Sequence, residues 1–346
     1  MRIAIVNDML MAREALRRVI AEVPDYSLAW TARDGAEAVR RCAADTPDLI
    51  LMDLIMPIMN GVDATRQIMA QAPCAILIVT ATVEGHSGMV FEALGAGALD
   101  AVQTPELAAT GQLGGASPLK TKIDTIRQLV SMGGFPRHPA GPPAGLHSSL
   151  LPGSPLVVIG ASAGGPAALA IILHHLPGNF PAPIVIIQHI DAQFAPSMAE
   201  WLNEQSALTV RVAIEGDRVQ SGTVLIAASN DHLVFVDSQT LRYTPEPRAY
   251  HYRPSVDVFF ESVTKYWNGN VVAALLTGMG RDGAKGLKAL RTSGALTIAQ
   301  DAASCVVYGM PKAAAEMGAA AEILPLTRIA SRLIDAATSP SASTQP

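Results

Sequence analysis

At roughly 150 residues per domain, a chain of 346 residues predicts two domains. Hydrophobic residues make up 49% of the chain and charged residues 16%, which supplies enough apolar side chains for two buried cores and argues against extensive disorder. The formal net charge of -5 argues against the basic surface with which proteins bind nucleic acid or anionic membranes.

The chain shows no feature of an exported or membrane-inserted protein. Asp8 interrupts the short apolar run at the start, and no stretch of about 18 uncharged apolar residues follows, so neither a signal peptide nor a membrane span is expected. The three cysteines form no CxxC pair and are too few for a disulfide framework. We therefore expect a cytoplasmic protein with buried, reduced thiols.

Strand-like and helix-like patterns alternate over the first hundred residues. Short apolar runs predict strands at 2–6, 48–52, 75–80 and 98–102. Helical spacing of apolar residues predicts helices at 12–22, 35–43, 62–71 and 119–132. Continuous apolar strands separated by helices are typical of a parallel sheet covered on both faces, so residues 1–132 are predicted to form a doubly wound α/β domain.

A Gly-, Pro- and Ser-rich stretch at 133–152 predicts a linker, because it cannot bury much apolar surface. A second α/β pattern follows at 153–340, and it predicts another doubly wound domain with a mainly parallel sheet. Its predicted strands are 156–160, 184–188, 209–213, 223–226, 232–236, 271–276 and 296–299. Its predicted helices are 166–175, 196–204, 256–266 and 284–292.

Acidic residues follow two predicted strands of the first domain. Asp8 comes after strand 2–6 and Asp53 directly after strand 48–52, so both are expected at the carboxyl edge of the sheet. Two carboxylates there can hold Mg²⁺, and one of them can act as a nucleophile on phosphorus. Thr80 ends a third strand and is placed to hydrogen-bond a phosphoryl group. The alternative is that Asp8 and Asp53 only cap helices or turns.

The segment LILMDLIMPIMNGVDATRQI resembles the phosphorylation segment of response-regulator receiver domains, which have a flavodoxin-like fold. The resemblance covers about residues 1–105. It implies that Asp53 is the phosphoacceptor, that Asp8 and Asp53 bind Mg²⁺ for phosphorylation, and that Thr80 is the switch hydroxyl.

Three positions depart from the receiver pattern. The family has two acidic residues where this chain has Asn7 and Asp8, a lysine where it has Thr104, and an aromatic switch residue near Ala101. The amide oxygen of Asn7 is expected to contact the metal or its waters. These departures predict an unusual phosphorylation chemistry or relay.

A glycine-rich turn follows the first strand of the second domain. Gly160, Ser162 and Gly164 fit the G-x-S-x-G pattern, which is typical of a sharp turn that presents a nucleophilic serine above a sheet. Amides at the start of the following helix can stabilise an oxyanion. The alternative is that Ser162 only caps that helix.

A histidine and an aspartate follow neighbouring strands. His189 ends strand 184–188 and is predicted to act as general base toward Ser162. Its rivals are His174 and His175, inside a predicted helix, and His251, in a loop. Asp282 lies in the loop TGMGRDG and is predicted to orient the imidazole, or else to cap the next helix.

The order serine, histidine, aspartate differs from that of α/β-hydrolases, where the acid precedes the histidine. Together, GASAGG, QHI, TGMGRDG and HYRPSVDVFF resemble the chemotaxis protein-glutamate methylesterases of the CheB family, in which a receiver also precedes the catalytic domain. The resemblance covers about residues 153–335. It implies that Ser162 attacks γ-glutamyl methyl esters, with the backbone around Met279 in the oxyanion hole and no cofactor in the esterase.

The family resemblance also implies partners and regulation. The substrate is a methylated chemoreceptor, some members deamidate receptor glutamines, and a chemosensory histidine kinase is the phosphodonor. IVNDM and ALDAVQTP are most similar to the Wsp-type, surface-sensing branch. The order receiver, linker, esterase suggests that the receiver covers the esterase cleft at rest and that phosphorylation loosens this contact.

Two other classes compete with the esterase. In a nucleotide-binding module GASAGG would cradle a phosphate, but Ser162 replaces the second glycine and His189 stands where an acidic ribose partner is expected. In a non-catalytic receiver-effector scaffold, the serine, histidine and aspartate would serve only as structure.

Overall fold

The computed structural model describes residues 1–80, 87–107, 113–114, 116–131, 155–250 and 252–338. The chain divides into two compact units, Met1–Phe135 and Pro136–Pro346. The whole of the predicted linker, 133–152, lies outside the described residues, and so does His251. No helix in the described ranges is long and apolar enough to cross a membrane.

The first unit is built on a parallel sheet whose strands alternate with helices. Its elements in chain order are β1 (Arg2–Val6), α1 (Leu10–Ala21), β2 (Ser27–Ala32), α2 (Gly35–Ala44), β3 (Leu49–Met52), α3 (Gly61–Gln71), β4 (Ala75–Thr80), α4 (Ser87–Gly95), β5 (Asp100–Gln103), β6 (Glu106–Leu107), β7 (Leu113–Gly114) and α5 (Ala116–Ser131). The sheet order is β2-β1-β3-β4-β5, and β6 pairs with β7 separately. The chain therefore reverses its direction across the sheet between β1 and β3, where such folds bind ligands.

Four elements of this unit were not predicted from the sequence, namely β2, α4 and the two-residue strands β6 and β7. Strand β2, SLAWTA, lies at the sheet edge with its first two residues exposed, so it lacks the continuous apolar run by which the other strands are recognised. Helix α4, SGMVFEALG, has few polar residues and therefore shows no clear helical spacing.

A pair of thiols lies in the core of the first unit. Sγ of Cys42, on α2, is 3.8 Å from Sγ of Cys74, which precedes β4, and both side chains are buried. The third thiol, Cys305, is also buried, and none of the three forms a disulfide.

The second unit has a seven-stranded parallel sheet. Its elements in chain order are β8 (Leu156–Ala161), α6 (Gly165–His174), β9 (Ile184–Gln188), α7 (Ala195–Glu204), β10 (Thr209–Val212), β11 (Thr223–Ile226), β12 (His232–Phe235), β13 (Leu241–Thr244), α8 (Val256–Tyr266), β14 (Val271–Leu275), α9 (Ala284–Thr292), β15 (Leu296–Gln300), α10 (Met310–Glu316), β16 (Glu322–Leu324) and α11 (Leu326–Thr338). Strands β12 and β13 form a separate antiparallel hairpin.

The order of the large sheet is β10-β11-β9-β8-β14-β15-β16. The chain runs outward from β8 through β9, then returns to the other side of β8 at β14, so the switch point lies between β8 and β14. Both strands are completely buried along most of their length. The carboxyl ends of β8, β9 and β14 therefore meet at one edge, above a rigid core.

Candidate active site

Ser162 directly follows β8, at the switch point of the large sheet. The turn is made by Gly164, whose φ of +75° suits glycine, and Gly164 is also the N-cap of α6, without a side-chain cap. Ser162 therefore does not cap this helix, contrary to the alternative interpretation. Its side chain is largely buried, with 9% exposed.

The backbone on both sides of Ser162 is tied to neighbouring strands. Its N–H donates to the carbonyl oxygen of Thr277 at 3.0 Å, and its own carbonyl accepts from Gln188 Nε2 at 2.9 Å. The Thr277 hydroxyl donates to the Ala163 carbonyl oxygen at 2.9 Å. At Gly165 a Cβ atom would lie 2.0 Å from Gln188 Oε1, so only glycine fits there. These contacts fix the serine turn against β9 and the loop after β14.

His189 follows β9, and its N–H donates to the carbonyl oxygen of Ala161 at 3.0 Å. Its Nε2 lies 2.8 Å from Asp282 Oδ2, and both side chains are almost fully buried. Its Nδ1 is buried without a hydrogen-bond partner among the described residues. The structure thus joins His189 to Asp282, whereas no hydrogen bond from Ser162 to His189 is formed in this geometry.

The carboxylate of Asp282 sits at the amino end of α8. Its oxygens accept from the N–H groups of Val256, at 2.7 Å, and Asp257, at 3.1 Å, and from the Ser255 hydroxyl, at 2.7 Å. The helix dipole also favours a negative charge at this end. Asp282 does not cap the helix that follows it, because the N-cap of α9 is Gly283.

The ionised form of Asp282 is strongly stabilised. Burial raises the pKa of this carboxyl, but the hydrogen bonds from His189, Ser255 and the Asp257 N–H outweigh burial and hold the pKa below its ordinary value. Because a carboxylate can only accept, Nε2 of His189 carries a hydrogen that it donates to Asp282. Nδ1 is the ring nitrogen left without a partner among the described residues.

The structure adds a second buried histidine that the sequence did not single out. His232, on β12, accepts a hydrogen bond at Nδ1 from the Ser255 N–H, at 3.1 Å, and its Nε2 lies 3.2 Å from the Pro247 carbonyl oxygen. Burial lowers the pKa of His232. A neutral His232 therefore supports Ser255, which in turn supports Asp282.

The rival histidines are placed differently. His174 and His175 are exposed at the end of α6 and contact each other edge to face, with 5.4 Å between ring centroids. Tyr252, next to His251 in sequence, stacks on His189, with centroids 4.2 Å apart and ring planes 2° from parallel.

The loop after β14 approaches Ser162 closely. A Cβ atom on Gly278 would lie 2.7 Å from Ser162 Cβ, and the Gly278 carbonyl accepts from the N–H of Met310 at 2.8 Å. Gly309 packs on the same loop, since a Cβ there would lie 3.1 Å from Met279 Cα. The backbone at Met279 is thus held beside the serine turn.

In the first unit, Asp53 follows β3 and is 9% exposed. Its Oδ2 accepts from Asn7 Nδ2, and its Oδ1 accepts from the Leu54 N–H, both at 2.7 Å. The Asn7 amide oxygen accepts from the Met9 N–H at 2.8 Å, so this oxygen faces Met9 rather than the carboxylate. In this geometry the Asn7 oxygen is therefore not positioned to contact a metal, contrary to the expectation from the sequence.

The two carboxylates of this site fit a hard divalent cation. Burial, together with the negative charge of the exposed Asp8, raises the pKa of Asp53 to about 6, although hydrogen bonds from backbone N–H groups lower it. Among the described residues, no three or more His, Cys, Asp or Glu side chains lie together in a group that could hold a metal ion. Two carboxylates completed by water are a usual arrangement for Mg²⁺, which would offset the repulsion between the two negative charges.

Neither Asp8 nor Asp53 caps a helix, because the N-caps of α1 and α3 are Met9 and Asn60.

The remaining receiver positions lie near the ends of β4 and β5. Thr80 is buried at the end of β4, and its carbonyl accepts from the Thr104 N–H at 3.0 Å. The Thr104 hydroxyl is buried without a partner among the described residues. Ala101 is buried within β5, so a larger aromatic switch residue is replaced by a small core residue.

Comparisons with known proteins cover both units. A family model described as CheB methylesterase matches residues 157–333, and a response regulator receiver domain model matches residues 3–109. The protein-glutamate methylesterase/protein-glutamine glutaminase 1 of Cupriavidus pinatubonensis is 54% identical over 336 residues, which is 97% of each chain. A Pseudomonas fluorescens protein of the same name is 56% identical over 97% of this chain and 99% of its own.

A solved structure agrees with these matches. The catalytic domain of the Thermotoga maritima CheB methylesterase is 38% identical, covers 53% of this chain and 98% of its own, and superposes with a TM-score of 0.51. The predicted fold class, two doubly wound α/β domains with parallel sheets, is confirmed. The chain belongs to the CheB methylesterase family and is a hydrolase that carries a response-regulator receiver domain.

Proposed function

We propose that this chain is a phosphorylation-regulated protein-glutamate methylesterase that converts γ-glutamyl methyl esters of chemoreceptors to glutamate and methanol. The observation that carries the proposal is the pairing of His189 Nε2 with the Asp282 carboxylate, which leaves Nδ1 without a partner among the described residues. The His189 backbone lies beside the serine turn, because its N–H donates to the Ala161 carbonyl. Two relatives, each more than 50% identical, are named protein-glutamate methylesterases, which supports the substrate class.

Acylation begins when the Ser162 hydroxyl attacks the ester carbonyl carbon and gives its proton to His189 Nδ1. The Asp282 carboxylate stabilises the imidazolium that forms. The backbone N–H of Met279, which bonds to no other group among the described residues, is proposed to stabilise the oxyanion. The methoxide leaves with the proton from Nδ1 as methanol, and the γ-glutamyl group stays on Ser162.

Deacylation repeats these roles with water. His189 Nδ1 takes a proton from the attacking water, the acyl bond to Ser162 breaks, and the serine oxygen recovers the proton. Glutamate is released and the enzyme is restored. No group beyond the chain's own residues takes part, so the esterase needs no cofactor. The relatives' name also supports the same chemistry on receptor glutamines, with ammonia in place of methanol.

Regulation belongs to the receiver. We propose that Asp53 accepts a phosphoryl group from a chemosensory histidine kinase, with Mg²⁺ held by Asp8 and Asp53 and with Thr80 as the switch hydroxyl. When bound, Mg²⁺ supplies positive charge that offsets the carboxylates and the phosphoryl oxygens. The pathway is proposed to be Wsp-like and cytoplasmic. Residues 133–152 are proposed as the linker between receiver, 1–132, and esterase, 153–340.

The experiment that tests the esterase is methanol release from a methylated receptor by Ser162→Ala. Loss of the nucleophile is expected to reduce the rate by about 10⁴-fold or more, because little but binding and the oxyanion hole remains. Ser206→Ala, which removes a hydroxyl that only accepts from the Leu208 N–H, should retain the wild-type rate. Unchanged methanol release by Ser162→Ala would refute the serine mechanism.

A further inference from the structure

The imidazole of His189 is held by few hydrogen bonds for a catalytic base. Its Nε2 is bonded to Asp282, whereas Nδ1 has no partner among the described residues. A single hydrogen bond at one edge fixes the orientation of the ring less tightly than bonds at both nitrogens would. Another contact is therefore needed to restrain the ring.

The face of the ring supplies that contact. Tyr252 lies parallel to the imidazole, at 2°, with 4.2 Å between the ring centroids. Tyr252 is itself 38% exposed, so it forms the outer layer over an almost fully buried histidine. Pivoting of His189 toward this side would collide with the tyrosine ring.

On its other side, Tyr252 lies close to the loop that follows β14. A Cβ atom on Gly280 would lie 3.5 Å from the Tyr252 hydroxyl, and Gly280 has a φ of +82°. The tyrosine thus extends from His189 to the loop that contains Met279. Tyr252 also precedes the segment that carries Ser255, so the cover over His189 and the support beneath Asp282 come from the same stretch of chain.

We propose that Tyr252 is a positioning residue for ester hydrolysis, which covers one face of His189, keeps Nδ1 directed at Ser162 and stabilises the imidazolium formed during catalysis. This inference rests on the proposed function. The negative π face of an aromatic ring attracts a cation, so the ring gains attraction when His189 accepts the serine proton. The titratable groups at this ring are Asp282, at Nε2, and Tyr252, with Asp257 beyond Asp282.

We expect ester hydrolysis to require the aromatic ring of Tyr252 but not its hydroxyl. In the full-length protein, Tyr252→Phe should keep kcat within about twofold of wild type, whereas Tyr252→Leu should lower kcat roughly tenfold with KM within about twofold. The acidic limb of the kcat/KM profile should also move to lower pH by roughly half a unit in Tyr252→Leu, because the imidazolium loses a favourable neighbour. Tyr252→Phe should retain the wild-type profile.

Controls separate this inference from the proposed function. Tyr266→Leu, at the far end of α8, makes the same change away from the site and should leave kcat unchanged. Melting temperatures of all variants confirm folding. A Tyr252→Leu enzyme with wild-type kcat and pH profile, a raised KM with unchanged kcat, or a Tyr252→Phe enzyme as slow as Tyr252→Leu would each overturn the inference. If Ser162→Ala releases methanol at the wild-type rate in the same assay, the proposed function itself fails.

Discussion

At the scale of single residues, the receiver site differs from its family most clearly at Asn7. Where the family has a second acid, this amide donates to Asp53 and accepts from the Met9 N–H. The sequence showed the missing charge but not the direction of the amide, which depends on which groups surround it. Asn7 therefore binds Asp53, the proposed phosphoacceptor, instead of presenting an oxygen to a cation.

Restoring the acid should strengthen metal binding. Asn7→Asp replaces an N–H donor with a negative charge beside Asp53 and Asp8, so the Mg²⁺ concentration for half-maximal phosphorylation by acetyl phosphate should fall roughly tenfold. Intact-protein mass measures the phosphorylated fraction. The matched control is Gln71→Glu, which adds the same charge at the exposed end of α3 and should leave this concentration unchanged. An unaltered Mg²⁺ requirement in Asn7→Asp would contradict this account of the site.

The esterase residues divide into those that the sequence predicted and those that it did not. Ser162, His189 and Asp282 stand out because each directly follows a predicted strand or lies in a glycine-rich loop. His232 and Ser255 do not, since their contact joins positions 23 residues apart through one backbone N–H. Only the folded arrangement shows that they support Asp282.

At the scale of elements, the amino end of helix α8 holds the carboxylate of Asp282 in place. The structure bounds it at Val256–Tyr266, the range predicted from the sequence. The Ser255 hydroxyl lies 3.3 Å from the Val258 N–H as the N-cap, and the same oxygen donates its hydrogen to Asp282. Local spacing was thus enough to predict the helix, whereas its role in holding Asp282 depends on tertiary contacts.

The buried His232 behind this helix predicts a pH effect on stability. Burial lowers its pKa, so below about pH 6.5 the unfolded chain takes up a proton that the folded chain excludes, and stability falls with decreasing pH. His232→Asn keeps an acceptor for the Ser255 N–H but cannot titrate. Chemical denaturation at pH 7.5 and 5.5 should show a smaller loss of unfolding free energy in this variant.

The control for His232→Asn is the same substitution at a histidine that is exposed to solvent. His175→Asn, at the exposed end of α6, should lose as much unfolding free energy on acidification as wild type does. Equal pH dependence in wild type and His232→Asn would show that His232 is protonated in the folded protein, contrary to its position between Ser255 and Pro247.

At the scale of the whole molecule, each unit places its candidate site at the switch point of its own parallel sheet. Alternation of apolar runs and helices was enough to predict both sheets and the sheet edge at which the candidate residues lie. It was not enough for β2, α4, β6, β7, β13, β16, α10 and α11, whose local patterns are short or mixed. Their places depend on pairing and packing with distant elements.

The central claim is that Asp53 controls a serine esterase within one chain. The most direct test is methanol release from a methylated receptor by the full-length protein, with and without acetyl phosphate and Mg²⁺. The account predicts a faster rate with the phosphodonor for wild type, no acceleration for Asp53→Asn, and negligible release for Ser162→Ala under both conditions. Equal wild-type rates with and without the phosphodonor, at confirmed phosphorylation of Asp53, would contradict it.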